Sequence, residues 1–230
     1  RYENGTNCTE SYGVNDMWQM IGFAFAISLA VCLIIGPVLI PALQRLKFGQ
    51  SIRSDGPERH LQKQGTPTMG GVMFFFSLIL GTLFLAGDSY FTYFLLACAL
   101  GFGLIGFIDD YIKIVLKRSE GLTPSQKMFG QIIVTGVFAV YMYKFSGISM
   151  EMIVPFFPNV TLDLGFLTIP VMFLAIIGTV NGVNFTDGLD GLNSSVTLVV
   201  CLAFSAIAMM LKMSGLSVFA AAMVGALIGF

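Results

Sequence analysis

The run Asp109-Asp110-Tyr111-Ile112-Lys113 sets two carboxylates side by side, with an ammonium three and four residues later. Adjacent acids repel, so the pair calls for a cation, which Lys113 or Mg²⁺ can supply. On a helix Asp109 and Lys113 are i,i+4 and Asp110 and Lys113 i,i+3, whereas the two aspartates point about 100° apart and must have separate jobs. Adjacent acids with basic companions suit Mg²⁺-assisted phosphoryl transfer, the metal neutralising a diphosphate while a carboxylate takes a proton or positions the nucleophile. The plainer reading is an interfacial ion-pair cluster.

A second polar stretch, Asn181-Gly182-Val183-Asn184-Phe185-Thr186-Asp187-Gly188-Leu189-Asp190-Gly191-Leu192-Asn193, contains no Lys or Arg. If helical, Asn184, Asp187 and Asp190 recur every three residues as one polar stripe, and the glycines let a ligand reach the backbone. The spacing is not that of an EF-hand. Its bland reading is turn and cap chemistry. A third stretch, residues 54–71, ends in Thr66-Pro67-Thr68-Met69-Gly70-Gly71. It is either a basic surface loop in which Thr68 caps the next helix, or a phosphate-facing pocket of hydroxyls, backbone N–H groups and Lys63.

The elements that must position these stretches are dictated by composition. Of 230 residues 56% are hydrophobic and 11% charged, with a mean hydropathy of +0.83. A soluble domain carries about 25% charged residues, so the natural solvent of this chain is a bilayer. The net charge of −1 excludes a basic nucleic-acid binder. Four cysteines without CxxC spacing give neither a disulfide scaffold nor a zinc site, and the single histidine, His60, excludes a histidine metal cluster.

A helix needs about 20 apolar residues to cross a bilayer. Candidate spans lie near residues 17–43, 71–87, 90–108, 128–146, 166–181, 196–211 and 216–230, which predicts an all-α polytopic membrane protein of about seven transmembrane helices in a single domain over 1–230. Gly36-Pro37 and Pro41 should kink or end the first. With the N-terminus extracytoplasmic, loops 44–70, 109–127 and 182–195 face the cytoplasm and carry nine of the Lys and Arg residues against three elsewhere, a clear positive-inside bias. Two short alternating stretches around Pro155-Phe156-Phe157-Pro158-Asn159 predict a small periplasmic β-hairpin near 147–165. Apart from Lys144 near one end, the span interiors hold no Asp, Glu, Lys or Arg, which argues against a proton-coupled pump or transporter.

The ordered set Asp55-Gly56-Pro57, His60, Lys63, Gly65-Thr66-Pro67-Thr68-Met69-Gly70-Gly71, then Asp109-Asp110-Tyr111-Ile112-Lys113, then Asn184-Phe185-Thr186-Asp187-Gly188-Leu189-Asp190-Gly191-Leu192 resembles the bacterial phospho-N-acetylmuramoyl-pentapeptide-transferases (MraY), of the polyprenyl-phosphate phosphosugar transferase superfamily. The likeness runs from about the first span to Phe230. It implies a Mg²⁺-dependent enzyme of the bacterial cytoplasmic (inner) membrane, with its active site on the cytoplasmic face. Such an enzyme moves phospho-N-acetylmuramoyl-pentapeptide from UDP to undecaprenyl phosphate, giving lipid I and UMP in peptidoglycan synthesis. It also implies a homodimer of ten-span subunits and sensitivity to nucleoside antibiotics.

Carried to this sequence, the resemblance makes Asp109, Asp110 and Asp187 catalytic, Asp109 being the candidate to deprotonate or orient the lipid phosphate. Asp109 and Asp110 are also its metal-binding candidates. Lys113 and Lys127 stabilise phosphate charge, Asn184 lines the cleft, Gly188, Leu189 and Asp190 receive the uracil end, and Lys63 and Thr68 match first-loop positions that ligands approach. The family's later acidic motif, which supplies a further Mg²⁺ ligand, and its histidine-rich loop would lie beyond Phe230. The chain therefore reads as a fragment of about the first seven spans, expected to be inactive alone. The rival readings are a sister transferase using UDP-N-acetylglucosamine and, in another class, a membrane carrier or scaffold.

Overall fold

The computed structural model describes residues 14–45, 69–87, 89–116, 120–147, 149, 151–154, 157–186 and 191–230. Lys63, Thr68, Asp187, Gly188, Leu189 and Asp190 lie outside the described residues. The described chain forms seven α-helices: α1 Val14–Arg45, α2 Gly71–Leu83, α3 Tyr90–Leu116, α4 Pro124–Lys144, α5 Thr168–Thr186, α6 Leu192–Met210 and α7 Ser214–Gly229. Between α4 and α5 an antiparallel hairpin, β1 Met152–Val154 and β2 Phe157–Leu162, pairs Met152 with Leu162 and Ile153 with Thr161, with an irregularity at Val154. This is the hairpin expected near 147–165.

Each expected span coincides with a helix, but length and apolarity sufficient to cross a membrane are met by four: Asn15–Arg45, Tyr90–Leu116, Gly165–Thr186 and Leu192–Met210. α2 and α7 are apolar but shorter, at 13 and 16 residues. Exposed apolar side chains such as Ile34, Val38, Leu174 and Met210 stud the long helices. Lipid solvates such surfaces; water does not. Pro37 and Pro41 do not end α1, which continues through both to Arg45. Packed neighbours and local adjustment satisfy the freed carbonyls of prolines in apolar helices. α3 likewise runs on past 108 to Leu116, so Asp109, Asp110 and Lys113 sit on a rigid helix rather than a loop.

Two compact units divide the described chain: residues 14–127 with 194–230, and residues 128–193. In the first, α1, α2 and α7 pack around Ala24, Leu78, Leu96, Val218, Ala221 and Ala222. The run Ala220-Ala221-Ala222 and Gly225 make α7 a narrow helix that its neighbours approach to backbone distance, as helices do where no water drives them together. A Cβ on Gly225 would collide with the carbonyl oxygen of Phe25 and lie 3.1 Å from the Leu29 nitrogen. Likewise, a Cβ on Gly81 would meet Ser28 Oγ, which donates to the Ser77 carbonyl oxygen at 3.1 Å. α3 joins this core through Leu96, and the Phe75 ring lies against Gly103.

Gly225→Val should therefore lower the melting temperature in detergent, at a cost of about 1–3 kcal/mol, because backbone atoms cannot step aside. Gly22→Ala, where a Cβ meets nothing within 4 Å, should be neutral or slightly stabilising. Equal melting temperatures for the two variants would refute the close α1–α7 packing.

Candidate active site

Asp109 lies two turns before the end of α3 and is 5% exposed. A buried carboxylate is costly unless its oxygens are occupied, and here both are. Oδ2 pairs with Lys113 Nζ at 2.7 Å and Lys127 Nζ at 3.0 Å, and Oδ1 accepts the Leu122 backbone N–H at 2.8 Å. The i,i+4 spacing delivers Lys113 from the same helix, while Lys127 arrives from the first turn of α4. Asp110 points elsewhere, as the 100° step requires, and meets Lys113 through Oδ1 at 3.1 Å. Its side chain is 37% exposed, and those of Lys113 and Lys127 are 36% and 32% exposed.

The segment between α3 and α4 is built to reach this acid. Thr123 and Gln126 form a capping box: Thr123 Oγ1 accepts the Gln126 N–H at 3.3 Å, and Gln126 Oε1 accepts the Thr123 N–H at 2.9 Å. Pro124, at the first helical position, lacks an N–H that would otherwise go unpaired. The box fixes where α4 starts, and hence where Lys127 sits one turn later, its own N–H bonded to the Thr123 carbonyl. Just before it, Gly121 passes so close to Asp109 that a Cβ would collide with the carboxylate and stand 2.6 Å from the carbonyl oxygen. Only glycine allows that approach.

Two carboxylates and two ammoniums thus gather at one end of an apolar helix. The rings of Phe107 and Tyr111 stack beside them on α3, their centroids 6.3 Å apart, with Tyr111 half exposed. Such a site can receive a phosphate that carries an apolar tail. Among the described residues no group of three or more His, Cys, Asp or Glu side chains gathers to cage a metal. Asp110 is the carboxylate open to a hydrated Mg²⁺, an ion that needs only one or two protein carboxylates and completes its shell with water and substrate oxygens. A metal at Asp109 would have to replace an ammonium.

Of the residues singled out from sequence, the structure therefore joins Asp109, Asp110, Lys113 and Lys127. Asn184 lies in the other unit, exposed in the last turn of α5. Gly121, Leu122, Thr123 and Gln126 were not anticipated, although Thr-Pro-Ser-Gln is a legible capping box. Nor was Gln131, which pairs with Asn181.

Gly121→Ala should displace Asp109 and lower the melting temperature, whereas Gly106→Ala, where a Cβ meets nothing within 4 Å, should not. Thr123→Ala should cost about 1 kcal/mol through loss of the cap. If Gly121→Ala melts with the wild type, the close approach of Gly121 to Asp109 is wrong.

Comparison with known proteins places this geometry in context. Residues 91–230 match the family model described as glycosyl transferase family 4, and residues 63–75 match phospho-N-acetylmuramoyl-pentapeptide-transferase signature 1. The chain is similar to the phospho-N-acetylmuramoyl-pentapeptide-transferase of Acetivibrio thermocellus, 46% identical over 210 residues covering 90% of this chain and 63% of that protein. The protein of that name from Desulforamulus reducens is 44% identical over 220 residues, 93% of this chain and 65% of its own length. That of Desulfitobacterium hafniense is 41% identical over 227 residues, 93% and 68% respectively. The chain thus spans about two thirds of the length of the curated relatives it matches, slightly less for the first two.

Proposed function

The chain belongs to the phospho-N-acetylmuramoyl-pentapeptide-transferase family, within glycosyl transferase family 4, and on that premise we propose that its protein makes lipid I. It transfers phospho-N-acetylmuramoyl-pentapeptide from UDP to undecaprenyl phosphate at the cytoplasmic face of the bacterial inner membrane. An oxygen of the lipid phosphate attacks the phosphorus that bears the sugar. The bond from that phosphorus to the bridging oxygen breaks, and its electron pair leaves on UMP.

The observation that carries this reading is the Asp109-centred cluster at the end of an apolar helix. A lipid phosphate and a water-soluble nucleotide can meet only at the membrane surface, and phosphoryl transfer asks the protein chiefly for positioning and charge stabilisation. Lys113 and Lys127 supply that charge, each about a third exposed and so able to reach a phosphate oxygen. Asp109, buried and bound on both oxygens, holds the two ammoniums in place. A phosphomonoester has a second pKa of about 6, so most of the acceptor is already dianionic at neutral pH and little base assistance is required. Asp110 is the residue that would hold Mg²⁺, which when bound neutralises diphosphate charge. Lys63, Thr68, Asn184, Asp187, Gly188, Leu189 and Asp190 keep the roles that the family likeness implies, as do the homodimer and the sensitivity to nucleoside antibiotics.

UMP release by the intact protein in detergent, with undecaprenyl phosphate and Mg²⁺, tests this directly. Turnover is expected with UDP-N-acetylmuramoyl-pentapeptide and not with UDP-N-acetylglucosamine. Lys127→Met and Asp110→Asn should each lower kcat by about 100-fold or more in folded protein. Turnover with UDP-N-acetylglucosamine alone would move the protein to a sister pathway, and turnover with neither would reopen the carrier reading.

A further inference from the structure

Gln131 is the one amide among the buried polar side chains of the described residues, at 5% exposed. It belongs to the single inward ridge of α4, formed by Gln131, Thr135 and Ala139 at four-residue spacing, while Phe129, Ile133, Val137 and Val140 are exposed. A buried amide must find a partner, and Gln131 finds its chemical twin. Its Oε1 accepts from Asn181 Nδ2 at 2.8 Å, and its Nε2 donates to Asn181 Oδ1 at 3.4 Å. Asn181 Nδ2 also donates to the Ile177 carbonyl oxygen at 2.8 Å, which holds that side chain back along α5.

A pair of leucines would join α4 and α5 at least as firmly, because polar pairs between membrane helices add little stability. Reciprocal amide bonds add register instead. Two planar groups, each giving and accepting, meet at one axial offset and one rotation, much as a single buried polar residue sets the register of a coiled coil. Asn184 follows Asn181 by three residues, about 4.5 Å along the axis and about 60° around it. α5 ends two residues later at Thr186. Whatever fixes Asn181 therefore fixes where Asn184 sits in the last turn of α5.

We propose that the Gln131–Asn181 amide pair is a positioning device, setting the rotation and offset of the last turn of α5 so that Asn184 meets the nucleotide substrate in one orientation. Neither residue touches substrate in this scheme. The inference rests on the transferase reading above.

The test uses the intact protein in detergent, with Gln131→Leu, Asn181→Leu, the double variant, and the exchanged pair Gln131→Asn with Asn181→Gln. Each is assayed for UMP release and for amide hydrogen exchange across residues 178–186. Each leucine variant should lose about tenfold or more in kcat, with faster exchange in the last turn of α5, and the double variant, which leaves neither amide unpaired, should melt near the wild type. The double variant should be no worse than either single one, and the exchanged pair should recover to within about threefold of wild type. Wild-type kcat in the leucine variants would overturn the proposal, as would an exchanged pair no better than the singles. If the wild type releases UMP from neither nucleotide sugar, the transferase reading fails separately. Hydrogen exchange then decides the amide pair alone: unchanged exchange in the leucine variants overturns it, and faster exchange confined to the last turn of α5 supports it.

Discussion

A carboxylate buried at the end of an apolar helix cannot be left with a free oxygen, and the architecture around Asp109 follows from that requirement. Each of its neighbours answers the same demand from a different part of the chain: Lys113 by helical spacing, Leu122 by a backbone N–H, and Lys127 from the start of α4. Gly121 lets the backbone come near enough for the second of these, and the Thr123–Gln126 box starts α4 where the third can be made. Remove the acid and two ammoniums lose their shared anchor. The same charge balance leaves both lysines partly open, so that a phosphate can share them without either being stripped of a partner.

Beneath this polar end lies a core built on the opposite logic. α1, α2 and α7 meet through Ala, Gly and Ser, with backbone nearly touching backbone at Gly225 and Gly81. In lipid no hydrophobic force distinguishes a protein neighbour from an acyl chain, so close van der Waals contact does the joining, and small residues permit it. Leu96 and Gly103 tie α3 into this group, giving the helix that carries both aspartates a rigid base. Catalytic groups on rigid elements hold their geometry better than groups on loops. On the transferase reading proposed above, the extension of α3 to Leu116 therefore has chemical meaning as well as structural.

In the other unit a neutral pair does for α5 what the ion cluster does for α3. The amides of Gln131 and Asn181 carry no charge, so their burial costs less desolvation than that of a carboxylate, and their reciprocal bonds still impose one arrangement.

Much of this was legible in the residues themselves. Apolar run length located each helix of the described residues, because the bilayer thickness and the need to satisfy backbone groups leave few alternatives. The alternation around Pro155 gave away the hairpin, and the spacing of Asp109, Asp110 and Lys113 foretold both their pairing and their divergence, since those are properties of a single helix. Contacts between distant segments were another matter. That Lys127 closes on Asp109, that Gly121 must be glycine, and that Gln131 seeks Asn181 across 50 residues depend on how helices pack. So does the contrast between a fully engaged Asp109 and an open Asp110, two neighbours of identical chemistry. Local periodicity determines which way a side chain points; only tertiary packing decides what it finds there.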